Sequence, residues 1–84
     1  MPRRIELDLH LQTEDSARKI LTSTLKNLPD DVTEIDVIHG YHGGSTLRDM
    51  VRRYNNSRIE RKIIGMNPGV TTFIIRKPGS SRLH

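Results

Sequence analysis

The strongest constraint on this chain is that its hydrophobic period changes twice within the first forty residues. Arg3-Arg4-Ile5-Glu6-Leu7-Asp8-Leu9-His10 alternates, with Ile5, Leu7 and Leu9 on one face and Glu6, Asp8 and His10 on the other, the signature of a strand covered on one side only. Ala17, Ile20, Leu21, Leu25 and Leu28 then form one stripe at helical spacing, opened by Thr13 as N-cap with Glu14 and Asp15 in the first turn, and ended by Leu28-Pro29-Asp30-Asp31. Val32-Thr33-Glu34-Ile35-Asp36-Val37-Ile38 returns to strand character. Strand, helix and strand of these lengths make a βαβ unit, so the two strands are expected parallel with a right-handed crossover. His10 and His39 then fall at the C-terminal ends of neighbouring strands, the sheet edge where open α/β folds bind ligands.

The second half adds a helix and a hairpin. Ser45 or Thr46 caps a helix whose apolar positions are Leu47, Met50, Val51 and Tyr54, with Arg48, Arg52 and Arg53 on its other faces. Asn55-Asn56-Ser57 stops it, Arg58 to Ile64 reads as a third strand, Gly65-Met66-Asn67-Pro68-Gly69 as a turn, and Val70 to Lys77 as a β-branched last strand. The order β-α-β-α-β-β predicts an α/β two-layer sandwich, a four-stranded mixed sheet with two helices on one face. Residues 1–77 are expected to form a single domain and residues 78–84 a flexible tail in which His84 has no role. The sheet's other face is expected open, with Glu6, Asp8 and His10 pointing into it.

At 84 residues the chain is small for a domain without covalent staples, but Leu, Ile, Val and Phe number 22, enough for a core. It contains no cysteine, which excludes disulfides, thiolate zinc sites and cysteine nucleophiles. It has no apolar run of membrane-spanning length and no signal-like N-terminus, so a soluble cytoplasmic protein is the expectation, with a monomer as default. Its charge is lopsided. Five basic and eight acidic residues precede Tyr41, whereas nine basic and two acidic follow from it, so the halves carry −3 and +7. Such asymmetry suggests a polyanionic partner, most simply DNA or RNA.

Between the second strand and second helix lies His39-Gly40-Tyr41-His42-Gly43-Gly44. Glycines permit positive φ and close backbone approach to a ligand, and a following helix points its unpaired N–H groups toward an anion. Asp8, two residues before His10, can fix the tautomer of that imidazole.

Leu7-Asp8-Leu9-His10, His39-Gly40-x-x-Gly43-Gly44 and Asn67-Pro68-Gly69-Val70, taken in order, resemble the small MutS-related (Smr) domain over about residues 5 to 77. That family carries an LDxH element on its first strand, an HGxG element after its second and an NPG turn before its last. The resemblance implies the same two-layer sandwich, nucleic-acid binding and, in many members, endonuclease activity. It matches Asp8 and His10 to LDxH, His39 and Gly40 to the start of HGxG, and Gly43 or Gly44 to its later glycine. The chain departs from the pattern where Leu11 follows His10 in place of glycine, and where the loop is one residue longer. With no ATPase or other partner domain in the sequence, the resemblance implies a stand-alone member.

The residues suggest phosphodiester cleavage in which His10, oriented by Asp8, is the general base and His39 the general acid, or the reverse. Phosphate and nucleic-acid contacts are expected from Gly40, Tyr41, His42, Gly43, Gly44, Arg48, Arg52, Arg53 and Arg58. A divalent metal, magnesium or manganese, held by Asp8 with one or both histidines is an alternative. One carboxylate is a thin set for magnesium, and a histidine-rich set suits zinc or manganese better. The competing function is a module that binds DNA or RNA through backbone phosphates without cutting it. In it Arg61 and Lys62 join the other cations and Tyr41 is the stacking platform, Tyr54 and Phe73 being core residues.

Overall fold

A computed structural model describes residues 2–40 and 45–77. The elements are β1 (Arg3–Asp8), α1 (Glu14–Lys26), β2 (Val32–Ile38), α2 (Thr46–Arg53), β3 (Ile59–Ile63) and β4 (Val70–Ile75). They form an α/β two-layer sandwich with one mixed sheet in the order β1-β2-β4-β3. β1 runs parallel to β2, and β4 is antiparallel to both β2 and β3. The proposed tail, residues 78–84, lies outside the described residues. No helix among the described residues is long and apolar enough to cross a membrane.

The local chemistry accounts for the elements. Thr13 has extended backbone, and its Oγ1 accepts the Ser16 N–H at 3.1 Å, which satisfies one of the free amides opening α1. Asn27 closes α1 with both its backbone and side-chain N–H groups on the Ser23 carbonyl. Register then sorts the side chains. Leu7 pairs with Val37, Val37 with Thr71 and Ile35 with Phe73, and these share the face on which Ala17, Leu21, Leu25, Met50 and Val51 are buried. Both helices therefore cover one side of the sheet. Full burial of each large apolar side chain there stabilises by about 1.5–3 kcal/mol, so this single layer carries most of the folding energy.

The opposite face is held differently. Arg4 reaches Glu34 and Asp36 at 3.2 Å each, and the Thr72 hydroxyl donates to Asp36 at 2.6 Å. Exposed ion pairs contribute only about 0–1 kcal/mol each, so this polar ladder sets register more than stability. Lys62, from β3, sits on the helix side, where Nζ donates to the Arg52 and Tyr54 carbonyls at the end of α2. It lies 5.7 Å from the centre of the Phe73 ring. A cation at a helix C-terminus complements its dipole, and β3 thereby anchors the end of α2.

Candidate functional site

β1 ends at Asp8, and the chain turns. Leu9 still bonds through its N–H to the Ile38 carbonyl, and the Gln12 N–H closes back on the Leu9 carbonyl at 2.9 Å. In a continuing strand the side chains of residues 8 and 10 would stand about 7 Å apart. The turn brings them into contact. Asp8 Oδ1 accepts the His10 backbone N–H at 3.1 Å and lies 2.5 Å from His10 Nδ1. The carboxylate faces two N–H donors, so Nδ1 carries the proton, and among the described residues Nε2 has no hydrogen-bond partner. These bonds to the His10 ring and backbone hold the Asp8 carboxyl below its ordinary value. Both residues remain largely exposed.

His39 lies at the same rim in a different state. It is 3 % exposed, because the two-residue period that buries Ile35 and Val37 continues one step beyond β2 and turns residue 39 toward the helix layer. Its Nδ1 lies 2.9 Å from the Gly40 carbonyl and its Nε2 2.9 Å from the Thr71 hydroxyl. A carbonyl only accepts, so Nδ1 donates, and Nε2 accepts the Thr71 proton. The ring is neutral with both nitrogens occupied. Burial pushes its pKa down, the Gly40 carbonyl opposes that, and the positive charges of Arg52 and Arg48 add to the lowering. This geometry gives His39 no free proton to deliver, unlike the general acid expected from spacing. Ile35, Val37 and His39 at alternate positions were the signal in the sequence for its burial.

Gly40 joins the two histidines. It has φ of 74°, and a Cβ built on it would approach His10 Cβ to 3.3 Å. Only glycine adopts that backbone without strain, and only glycine lets the β2 end lie against the β1 turn. The β3–β4 turn closes the third side. The Gly69 carbonyl accepts both the His39 and Gly40 N–H groups, at 2.9 and 3.0 Å, and the Asn67 side-chain oxygen accepts the Gly69 N–H at 2.9 Å. Asp8, His10, His39, Gly40, Asn67 and Gly69 line one cleft of about 330 Å³, with Ile38 and Val70 completing its wall. Asn67 and Gly69, whose Asn-Pro-Gly stretch reads from sequence either as the turn joining the last two strands or as a loop touching substrate, both line the cleft.

The cations divide. Arg48 and Arg52 of α2 bear electrostatically on His39, although Arg48 also pairs with Asp49 at 3.3 Å. Arg53 lies instead in a groove between the helices with Arg18, Met50, Tyr54 and Asn55. Arg58 turns inward, with Nη1 3.4 Å from the Leu25 carbonyl and Nε and Nη2 buried. Lys62 is lowered in pKa by burial and committed to α2. Ser45 occupies the N-cap position of α2 but caps no amide, because its hydroxyl donates to Asp49 at 3.1 Å. Tyr41, His42, Gly43 and Gly44, all expected at the site, lie outside the described residues.

Among the described residues the groups left for a metal are few. Asp8 Oδ1 is engaged by His10 and both His39 nitrogens are bonded, which leaves Asp8 Oδ2 and His10 Nε2. Among the described residues no group of three or more histidines and carboxylates is placed to hold an ion. No protein-family profile, curated protein or solved structure matches the chain.

Proposed function

We propose that the chain binds nucleic acid at the cleft and cleaves phosphodiester bonds there, with His10 as general base. The observation that carries this reading is the Asp8–His10 pair. One carboxylate oxygen bonds to the ring and backbone of a partly exposed imidazole, which orients it through Nδ1, and His10 lines the cleft. Its Nε2 takes a proton from an attacking water or, in RNA, from a 2′-hydroxyl, a role worth roughly 10²–10⁴ in rate. Arg48 and Arg52 supply positive potential for the phosphate. The resemblance to the Smr domain supports the same function. His39 enters as a positioning residue that joins the end of β2 to β4, and no step is assigned to its proton.

The sequestered His39 also favours the second reading, a module that binds DNA or RNA without cutting it, since it removes one of the two acid–base groups. Labelled single-stranded RNA and duplex DNA incubated with wild type and His10→Ala separate the two. Cleavage by wild type, lost in His10→Ala, is the expected result. Equal cleavage by both proteins removes the mechanism, and binding without cleavage by wild type leaves the module.

A further inference from the structure

We infer that Asn67 is a substrate-contacting residue, its side-chain NH₂ donating to a non-bridging phosphate oxygen in the cleft. The inference rests on the nucleic-acid reading above and adds a donor from the β3–β4 turn.

The amide's orientation is set by its neighbour. The Gly69 N–H can only donate, so the Asn67 atom 2.9 Å from it is Oδ1, and the NH₂ group is directed away from that bond. Among the described residues Nδ2 has no hydrogen-bond partner. The turn is itself anchored, because the Gly69 carbonyl accepts the N–H groups of His39 and Gly40 and ties the hairpin to the end of β2. The Val70 N–H closes the turn on the Asn67 carbonyl at 3.2 Å. Asn67 is exposed yet lines the same cleft as Asp8 and His10.

The result is a neutral donor whose oxygen partner is held by the turn, lining the same cleft as the Asp8–His10 pair and His39, on which Arg48 and Arg52 bear electrostatically. An NH₂ of that kind suits an anionic oxygen better than a base edge. A base edge would call on both the donor and acceptor of the carboxamide, and here the acceptor is already used. The chemistry recognised is therefore a phosphodiester oxygen.

The side chain's two atoms have different duties, and substitutions can separate them. Asn67→Asp and Asn67→Ser each keep an oxygen to accept the Gly69 N–H, so both variants should retain the turn and the thermal midpoint of wild type. Asn67→Ser removes the amide donor without adding charge, and Asn67→Asp sets a carboxylate against the phosphate. Affinity for a fluorescein-labelled single-stranded oligonucleotide, read by anisotropy alongside thermal unfolding, is the test. Loss of a charge-assisted hydrogen bond predicts affinity about tenfold weaker for Asn67→Ser and weaker still for Asn67→Asp. Wild-type affinity in Asn67→Ser overturns the inference, even if Asn67→Asp binds poorly, since that pattern is long-range charge alone. Arg52→Ala, expected to weaken binding through the arginine potential, separates this failure from that of the underlying reading. If wild type binds neither the DNA nor the RNA oligonucleotide at low salt, the nucleic-acid assignment itself fails and the Asn67 contact with it.

Discussion

The sharpest consequence of the structure concerns a hydroxyl. Thr71 is fully buried and its proton goes to His39 Nε2 at 2.9 Å. Thr71→Val replaces that donor with a methyl group of similar shape and leaves a buried acceptor without a partner. An unsatisfied buried polar group costs about 1–3 kcal/mol, reduced somewhat here by the added methyl. For a domain of this size each kcal/mol moves the midpoint by about 4–8 °C, so Thr71→Val should melt roughly 5–15 °C below wild type. The same bond fixes how stability depends on pH. The unfolded chain takes up a proton at His39 near the ordinary value of 6.5, and the folded chain does so only at lower pH. Between those two values the unfolded state holds the extra proton, so acid lowers stability. Well above 6.5 the ring is neutral in both states and its contribution is flat. His39→Gln keeps an acceptor for Thr71 but does not titrate. Urea unfolding of wild type and His39→Gln across this range should show wild type falling more steeply as pH drops below 6.5. Parallel curves, together with a Thr71→Val midpoint within about 1 °C of wild type, would refute the picture of a buried neutral ring.

Further outcomes follow from the same geometry. Gly40→Ala forces a side chain onto a backbone at φ of 74° and against His10 Cβ, and should cost about 1–2 kcal/mol in chemical unfolding. Asp8→Asn keeps an acceptor for the His10 backbone N–H but loses the charge on its ring. Cleavage by this variant should fall about tenfold or more while the fold is retained. In wild type the Asp8 carboxyl sits below its ordinary 3.8, so its contribution to stability is complete above that value and is lost as pH falls through the lower folded one, which acid titration by circular dichroism can follow. Lys62→Met leaves the last carbonyls of α2 without their ammonium and should destabilise by about 1–2 kcal/mol in thermal unfolding.

How far the residues alone carried the account depended on the range of the interaction. The elements were legible because alternation in Ile5, Leu7 and Leu9 and the stripe Ala17–Leu21–Leu25 are local, and the parallel β1–β2 pair followed from chain connectivity. The Asp8–His10 contact was legible in kind, since the residues are two apart, although a turn rather than a pleat brings them together. The state of His39 was half legible. Its place at the rim came from the βαβ rule, and its burial was written in the alternation with Ile35 and Val37, but its partners are Gly40's carbonyl and the distant Thr71. Lys62 and Arg58 read as surface cations because the carbonyls they meet, at Arg52, Tyr54 and Leu25, come near only through tertiary packing. Asn67 read as a turn residue first and a substrate-loop residue second, because its turn chemistry is local and its place in the cleft is not.

The two imidazoles differ in one respect that a single experiment can read. Long-range proton–nitrogen spectra of the histidine rings, recorded while a short oligonucleotide is titrated into the intact protein, report each ring's tautomer and its contact with ligand. The account predicts that both His10 and His39 carry their proton on Nδ1, that His10 Nε2 shifts as the oligonucleotide binds, and that His39 changes little. A spectrum in which His39 Nε2 follows the ligand while His10 stays unmoved would contradict it.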